Sequence, residues 1–164
     1  MISKKVILTG SFGVGKTSLF NRFIYQQFSD RYMTTIGVKV NKKNIKVNEQ
    51  EVSLLLWDIA GEVSQDKVPA SYFLGASGII YVVDLSRPST FINLTNDINF
   101  LKRLLPDCSL IIVANKRDLI SDSQLKEIYQ NITLKWDFET SAKTGKNVEA
   151  VFYELAKRLI ANHW

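Results

Sequence analysis

The chain has 164 residues, 46% hydrophobic and 23% charged, the balance of one soluble globular domain with a sizeable core. A net charge of +5 without a long basic run permits contact with acidic partners or membrane surfaces and does not call for nucleic acid. The single cysteine, Cys108, excludes an intrachain disulfide, and the single histidine, His163, excludes a histidine-built metal site. With one cysteine a reducing, cytoplasmic setting is expected, and no apolar run approaches the roughly 20 residues of a membrane span.

The apolar run Val6-Ile7-Leu8 predicts a buried strand over about 4–9, leading straight out of the N-terminus with no room for a signal peptide. Leu19, Phe20, Phe23 and Ile24 give the spacing of a helix starting near Gly15 and running to about Tyr25. Between them stands Gly10-Ser11-Phe12-Gly13-Val14-Gly15-Lys16-Thr17, the P-loop pattern. Its glycines let backbone N–H groups of Gly13, Val14, Gly15, Lys16, Thr17 and Ser18 turn toward phosphate oxygens at a helix N-terminus. Lys16 would reach the β- and γ-phosphates, and the Thr17 hydroxyl would face Mg²⁺.

Residues 26–35 carry no clear period and read as a long loop, of a size that is usually functional. A strand over 38–47 follows, in which the apolar positions shift phase from Val38 and Val40 to Ile45 and Val47, as a bulge or frayed end near Lys42-Lys43 would require. With a turn at 48–50 and a second strand over 52–57 it makes a hairpin. Lys39, Lys42, Lys43 and Lys46 crowd the first strand, which fits a lysine-protected sheet edge or a basic surface for an acidic partner.

Residues 59–70 form another loop, with Pro69 inside it and a short helix after it. The run 77–84 is a buried strand, Phe91, Leu94, Ile98, Leu101 and Leu105 a helical stripe ended by Pro106, and 109–114 the next core strand. Ser121 and Gln124 form a capping-box pattern for a helix carrying Leu125, Ile128 and Tyr129. Trp136, Phe138 and Thr140 alternate as a short strand. Val148, Val151, Phe152, Leu155 and Leu159 form the stripe of a last helix. Alternating strands and helices imply a mostly parallel sheet with helices on both faces, whose ligand lies beyond the C-terminal strand ends.

The remaining polar motifs fall at those ends. Asp58 follows Leu54-Leu55-Leu56-Trp57 and precedes Ile59-Ala60-Gly61. Its carboxylate suits Mg²⁺, and the Gly61 N–H can approach a γ-phosphate. Asn115-Lys116-Arg117-Asp118 follows the strand ending at Ala114. The Asp118 carboxylate can accept from both N1–H and the N2 amine of guanine, a donor pair adenine lacks. Ser141-Ala142-Lys143 can offer a backbone N–H to the guanine O6.

In these five motifs, with Thr35 among them, the whole chain resembles the Ras superfamily of small GTP-binding proteins. Thr34-Thr35-Ile36-Gly37-Val38 and the Trp57 that precedes Asp58 are most similar to its Rab branch. The resemblance implies a single P-loop NTPase G domain over 1–164: an α/β fold with a six-stranded, mostly parallel sheet, one antiparallel edge strand and helices on both faces. It implies a GTP/GDP and Mg²⁺ site, with Lys16, Thr35, Gly61 and Glu62 at the chemistry. Thr17, Thr35 and Asp58 would face the metal. Phe28, Asn115, Lys116, Asp118, Ser141, Ala142 and Lys143 would join the phosphate loop in holding nucleotide, with Phe28 against the guanine edge and Tyr32 over the phosphates. Loops at about 26–37 and 60–73 would be the switches, ordered by GTP and read by protein effectors and regulators. Trp57 and Tyr72 match two aromatics that Rab effectors read; Val40 stands where Rab proteins usually carry Phe. A monomer is expected.

Three positions depart from the family pattern. Glu62 replaces the glutamine that orients the attacking water, for which Ras is the standard example. A carboxylate lacks the amide donor, and like charges about 4 Å apart repel by roughly 1 kcal/mol in water and about 4 at an intermediate dielectric. Phe12 stands where the family has glycine or another small residue, so it either crowds the space of that glutamine and of an arginine finger or folds over the nucleotide as a lid. The sequence ends at Trp164 without a prenylated-cysteine signal, so no direct membrane anchor is expected in it. Slow GTP hydrolysis follows, with a nucleotide-bound, hydrolysis-deficient scaffold as the alternative. A P-loop kinase is disfavoured by Asn115-Lys116-Arg117-Asp118.

Overall fold

The structure, a computed structural model, describes residues 1–29, 37–62 and 65–162. Its strands are β1 (Ile2–Gly10), β2 (Val38–Val47), β3 (Gln50–Ile59), β4 (Gly78–Asp84), β5 (Ser109–Asn115) and β6 (Phe138–Glu139). Its α-helices are α1 (Lys16–Tyr25), α2 (Ala70–Phe73), α3 (Leu94–Leu104), α4 (Asp122–Asn131) and α5 (Val148–Ala161). The strands form one sheet in the order β2-β3-β1-β4-β5-β6, antiparallel only between β2 and β3. The expected α/β sheet with one antiparallel edge strand is therefore present.

Alternation along the central strands separates two cores. Val6, Leu8, Ile80, Val82, Ile111 and Val113 face one side, where α1 and α5 bring Phe20, Phe23, Phe152 and Leu155. Ile7, Ile79, Tyr81, Val83, Ile112 and Ala114 face the other, covered by Phe73 of α2 and Leu94, Ile98 and Leu101 of α3. Both faces of β4 are buried over its whole length, as a central parallel strand requires. Phe23 and Phe152 stack with centroids 3.8 Å apart and planes 6° from parallel, locking α1 to α5.

The edge hairpin departs from expectation. β2 pairs with β3 in an unbroken register, from Val38 opposite Ile59 to Val47 opposite Gln50, so there is no bulge at Lys42-Lys43. The phase shift has another cause: the two ends of the strand bury opposite faces. Val38 packs on the α2 side with Trp57 and Tyr72, whereas Ile45 and Val47 lie on the α1 side. The lysines divide the same way. Lys39 lies 5.0 Å from the Phe20 ring and donates to Asn21 Oδ1 at 3.2 Å, and Lys43 lies 4.1 Å from the Phe23 ring. Their stems cover α1 while their charges reach its polar groups, leaving Lys42 and Lys46 on the exposed edge.

Other boundaries also move. β1 extends from Ile2 to Gly10, and β3 from Gln50 to Ile59. α1 begins at Lys16, because Gly15 has φ +100, outside helical space. Phe91 lies before α3, after a 3₁₀ turn at Pro88–Thr90, and packs edge-on against Trp136 at 5.7 Å. Trp136 is a core residue outside the two-residue β6, its indole N–H donating to Tyr129 at 2.9 Å. The capping box forms as read: Gln124 N–H donates to Ser121 Oγ at 3.1 Å, and Ser121 N–H to Gln124 Oε1 at 2.8 Å. Among the described residues, no helix is long and apolar enough to cross a membrane.

Candidate functional site

Parallel register brings the ends of β1, β3, β4 and β5 to one edge of the sheet, with Leu8 beside Asp58, Gly10 beside Val82, and Asp84 beside Asn115. A cleft of about 260 Å³ opens there. Its wall includes Gly13, Gly15, Lys16, Thr17, Ser18, Phe28, Gly61, Asn115, Lys116, Asp118, Ala142 and Lys143. Phe12, Ser29, Ile59 and Leu119 complete it.

Lys16 is buried at the cleft floor and donates to the carbonyls of Gly10 at 3.2 Å and Ser11 at 2.8 Å. Burial pushes its ammonium down to about 8; Asp58 opposes this and the charge of Arg87 adds to it. Beside it, Thr17 Oγ1 donates to Asp58 Oδ2 at 2.7 Å, and Asp58 is fully buried. A hydroxyl and a carboxylate in contact form a hard-oxygen pair of the kind Mg²⁺ takes, so these residues fit the expected ion. Gly61 leans on the loop so closely that a Cβ there would lie 2.4 Å from Phe12 Cα.

At the other end of the cleft, Asn115 Nδ2 donates to the Val14 carbonyl at 3.1 Å. Lys116, whose φ of +66 turns the chain sharply, donates through Nζ to the Gly13 carbonyl at 2.8 Å. Asp118 Oδ1 accepts from Ser141 Oγ at 2.7 Å, which orients the carboxylate at the mouth. Arg22 of α1 donates through Nε to the Ala142 carbonyl at 2.7 Å, tying the 141–143 loop to the helix after the phosphate loop. Phe28 is half-buried between this wall and the α1–α5 core.

The predicted residues separate into three groups. Those of the phosphate loop and the 115–118 and 141–143 loops converge, although Val14 and Ser141 act from behind the wall: both are buried, Val14 in the core and Ser141 as the partner of Asp118. Glu62 is half-buried and is not among the described residues of the wall, whereas Phe12 is in it and 52% exposed. Thr35 and Tyr32 lie outside the described residues.

Sequence reasoning missed Asp84 and Arg87. Asp84 is fully buried at the end of β4, 2.9 Å from Lys116 Nζ, and Arg87 Nη1 donates to the Phe12 carbonyl at 2.9 Å. A signal for the first was available: a carboxylate ends an otherwise apolar strand at the ligand edge of the sheet.

A family model described as Ras family matches residues 5–161. The GTP-binding protein yptV2 of Volvox carteri is 34% identical over 163 residues, covering 96% of this chain and 75% of that protein. The Ras-related protein SEC4 of Saccharomyces cerevisiae is 33% identical over 158 residues, with 93% and 73% covered. The Ras-related protein Rab-8A of Pongo abelii is 33% identical over 162 residues, with 96% and 78% covered. Sheet order, motif spacing and these likenesses agree: the chain is a Rab-like member of the Ras family of GTP-binding proteins.

Proposed function

We propose that this chain, as one domain over 1–164, is a guanine-nucleotide switch that cleaves GTP slowly. The observation that carries the reading is the convergence of Lys16, the Thr17–Asp58 pair and Asp118 on one cleft at the ends of β1, β3 and β5. Gly13 to Ser18 would cradle the phosphates, with Lys16 on the β- and γ-phosphates. Phe28 would pack on the guanine, Asp118 would accept from N1–H and the N2 amine, and Ser141, Ala142 and Lys143 would close on O6. Thr17 and Asp58, with Thr35, would hold Mg²⁺. That ion, when bound, supplies positive charge to the phosphate oxygens.

In the reaction a water oxygen bonds to the γ-phosphorus and the bond to the bridging oxygen breaks, giving GDP and phosphate. Lys16 and the loop N–H groups, with that of Gly61, stabilise the spreading negative charge. Glu62 offers no amide to orient the water, and Phe12 occupies the wall where an activating partner's arginine would enter, so the rate is low and partner stimulation weak. Trp57 and Tyr72, with ring centroids 6.5 Å apart, and half-exposed Val40 opposite Trp57 form the surface for protein effectors. The protein works as a monomer in the cytoplasm.

Titration of the purified protein with fluorescent GDP and ADP tests the site. GDP is expected to bind with Mg²⁺ and ADP not to compete. Asp118→Asn exchanges one acceptor oxygen for a donor, so preference should move from guanine toward xanthine, which carries a carbonyl at that edge. Equal competition by ADP would refute the reading.

A further inference from the structure

The Asp84 carboxylate is fully buried at the end of β4 and holds two cations. Lys116 Nζ lies 2.9 Å and Arg87 Nη1 3.8 Å from its Oδ2. Its Oδ1 accepts from the N–H of Ser86 at 2.9 Å and the Ser86 hydroxyl at 2.6 Å, which fixes its orientation. Each cation reaches onward to the phosphate loop: Arg87 takes the carbonyl of Phe12, Lys116 that of Gly13. Asn115 takes the next one, that of Val14. Three consecutive loop carbonyls are thus held by side chains of the β4 and β5 ends.

In a trans peptide the C=O and the following N–H point in opposite directions. Gripping the carbonyls of Phe12, Gly13 and Val14 from outside therefore aims the N–H groups of Gly13, Val14 and Gly15 the other way. Gly13 and Gly15 have φ of +75 and +100, so the loop is built on residues with the greatest backbone freedom to lose. An external brace supplies the order that such a loop lacks by itself.

We propose that Arg87, balanced on Asp84, is a positioning residue that braces the phosphate loop at Phe12 and so sets how long the nucleotide stays bound. This rests on the reading of the cleft as a guanine-nucleotide site. Arg87 is chosen over Lys116 as the test because its side chain is 44% exposed, so its removal leaves the core intact. Both contacts run through Nη1, so one nitrogen of the guanidinium faces the Phe12 carbonyl and the Asp84 carboxylate together, and a lysine in its place keeps the charge but sets its ammonium at a different reach.

The experiment compares release of preloaded fluorescent GDP, chased with excess GDP, from the parent, Arg87→Ala, Arg87→Lys and the control Arg103→Ala on the exposed face of α3. Release from Arg87→Ala is expected about five- to tenfold faster, the worth of one partly exposed charge-assisted hydrogen bond. Arg87→Lys should be intermediate and Arg103→Ala unchanged. Backbone amide order parameters at Gly13, Val14 and Gly15 without nucleotide provide a second readout and should fall in Arg87→Ala. Parent-like release with parent-like order parameters overturns the proposal. So does a variant that releases GDP normally but cleaves GTP more slowly, because Arg87 would then act on the reacting phosphate. If the parent takes up no GDP and the order parameters still fall, the brace stands and the guanine-nucleotide reading fails.

Discussion

The side-chain amide of Asn115 donates to the backbone carbonyl of Val14 at 3.1 Å, across 101 positions of the chain. Its Oδ1 turns the other way and accepts from Thr140 Oγ1 at 3.0 Å and from the Ala142 N–H at 3.3 Å. One buried amide therefore joins the phosphate loop, the end of β5 and the loop after β6. The contact also dictates glycine at position 15, where a Cβ would lie 2.2 Å from Asn115 Nδ2.

Asn115→Asp keeps the shape but turns the donor into an acceptor facing the Val14 carbonyl. A buried group left unsatisfied costs about 1–3 kcal/mol, so GDP affinity should fall roughly ten- to a hundredfold. Equilibrium titration measures this, and unchanged affinity would mean that the tie does not shape the site.

Lys16 connects the site to pH. Its pKa is lowered from the ordinary 10.5 to about 8, first by burial. The lowered value means that, between those limits, the unfolded chain binds more protons than the folded one, so nucleotide-free stability rises with pH through that window. Phosphate charge beside Lys16 restores its ammonium. GDP binding at about pH 9 should therefore take up a proton, and at pH 6.5 Lys16 should contribute none. Calorimetry in buffers of different ionisation enthalpy reads the difference, and identical proton uptake at both values would contradict it.

The junction of α1 and α5 sets stability. Phe152 is 1% exposed and stacked on Phe23, so Phe152→Ala removes a ring from a filled space. The expected loss is about 3–5 kcal/mol in chemical denaturation, as for large-to-small changes at aromatic core sites. A loss below about 1 kcal/mol would show that the two helices are held elsewhere.

Much of the fold was legible because the continuous apolar runs of β1, β4 and β5 and the stripe of α5 each report a single burial environment. β2 misled because its ends bury opposite faces, which a linear reading takes for an inserted residue. Phe91 and Trp136 misled because each is apolar at a plausible spacing yet packs from outside the element, Phe91 from the turn before α3 and Trp136 from the segment before β6. In the site, the phosphate loop, Asp58 and Asn115 to Asp118 were legible because their chemistry sits in short runs beside strands. Arg87 was not, since its grip on Phe12 spans 75 positions and has no local pattern.

The most direct test of the account is single-turnover cleavage of GTP by the parent protein and by the Phe12→Gly, Glu62→Gln double variant. Both are expected to bind GTP, and the double variant is expected to cleave it faster, because an orienting amide and an open wall are restored. A parent that cleaves GTP as fast as the double variant would contradict it.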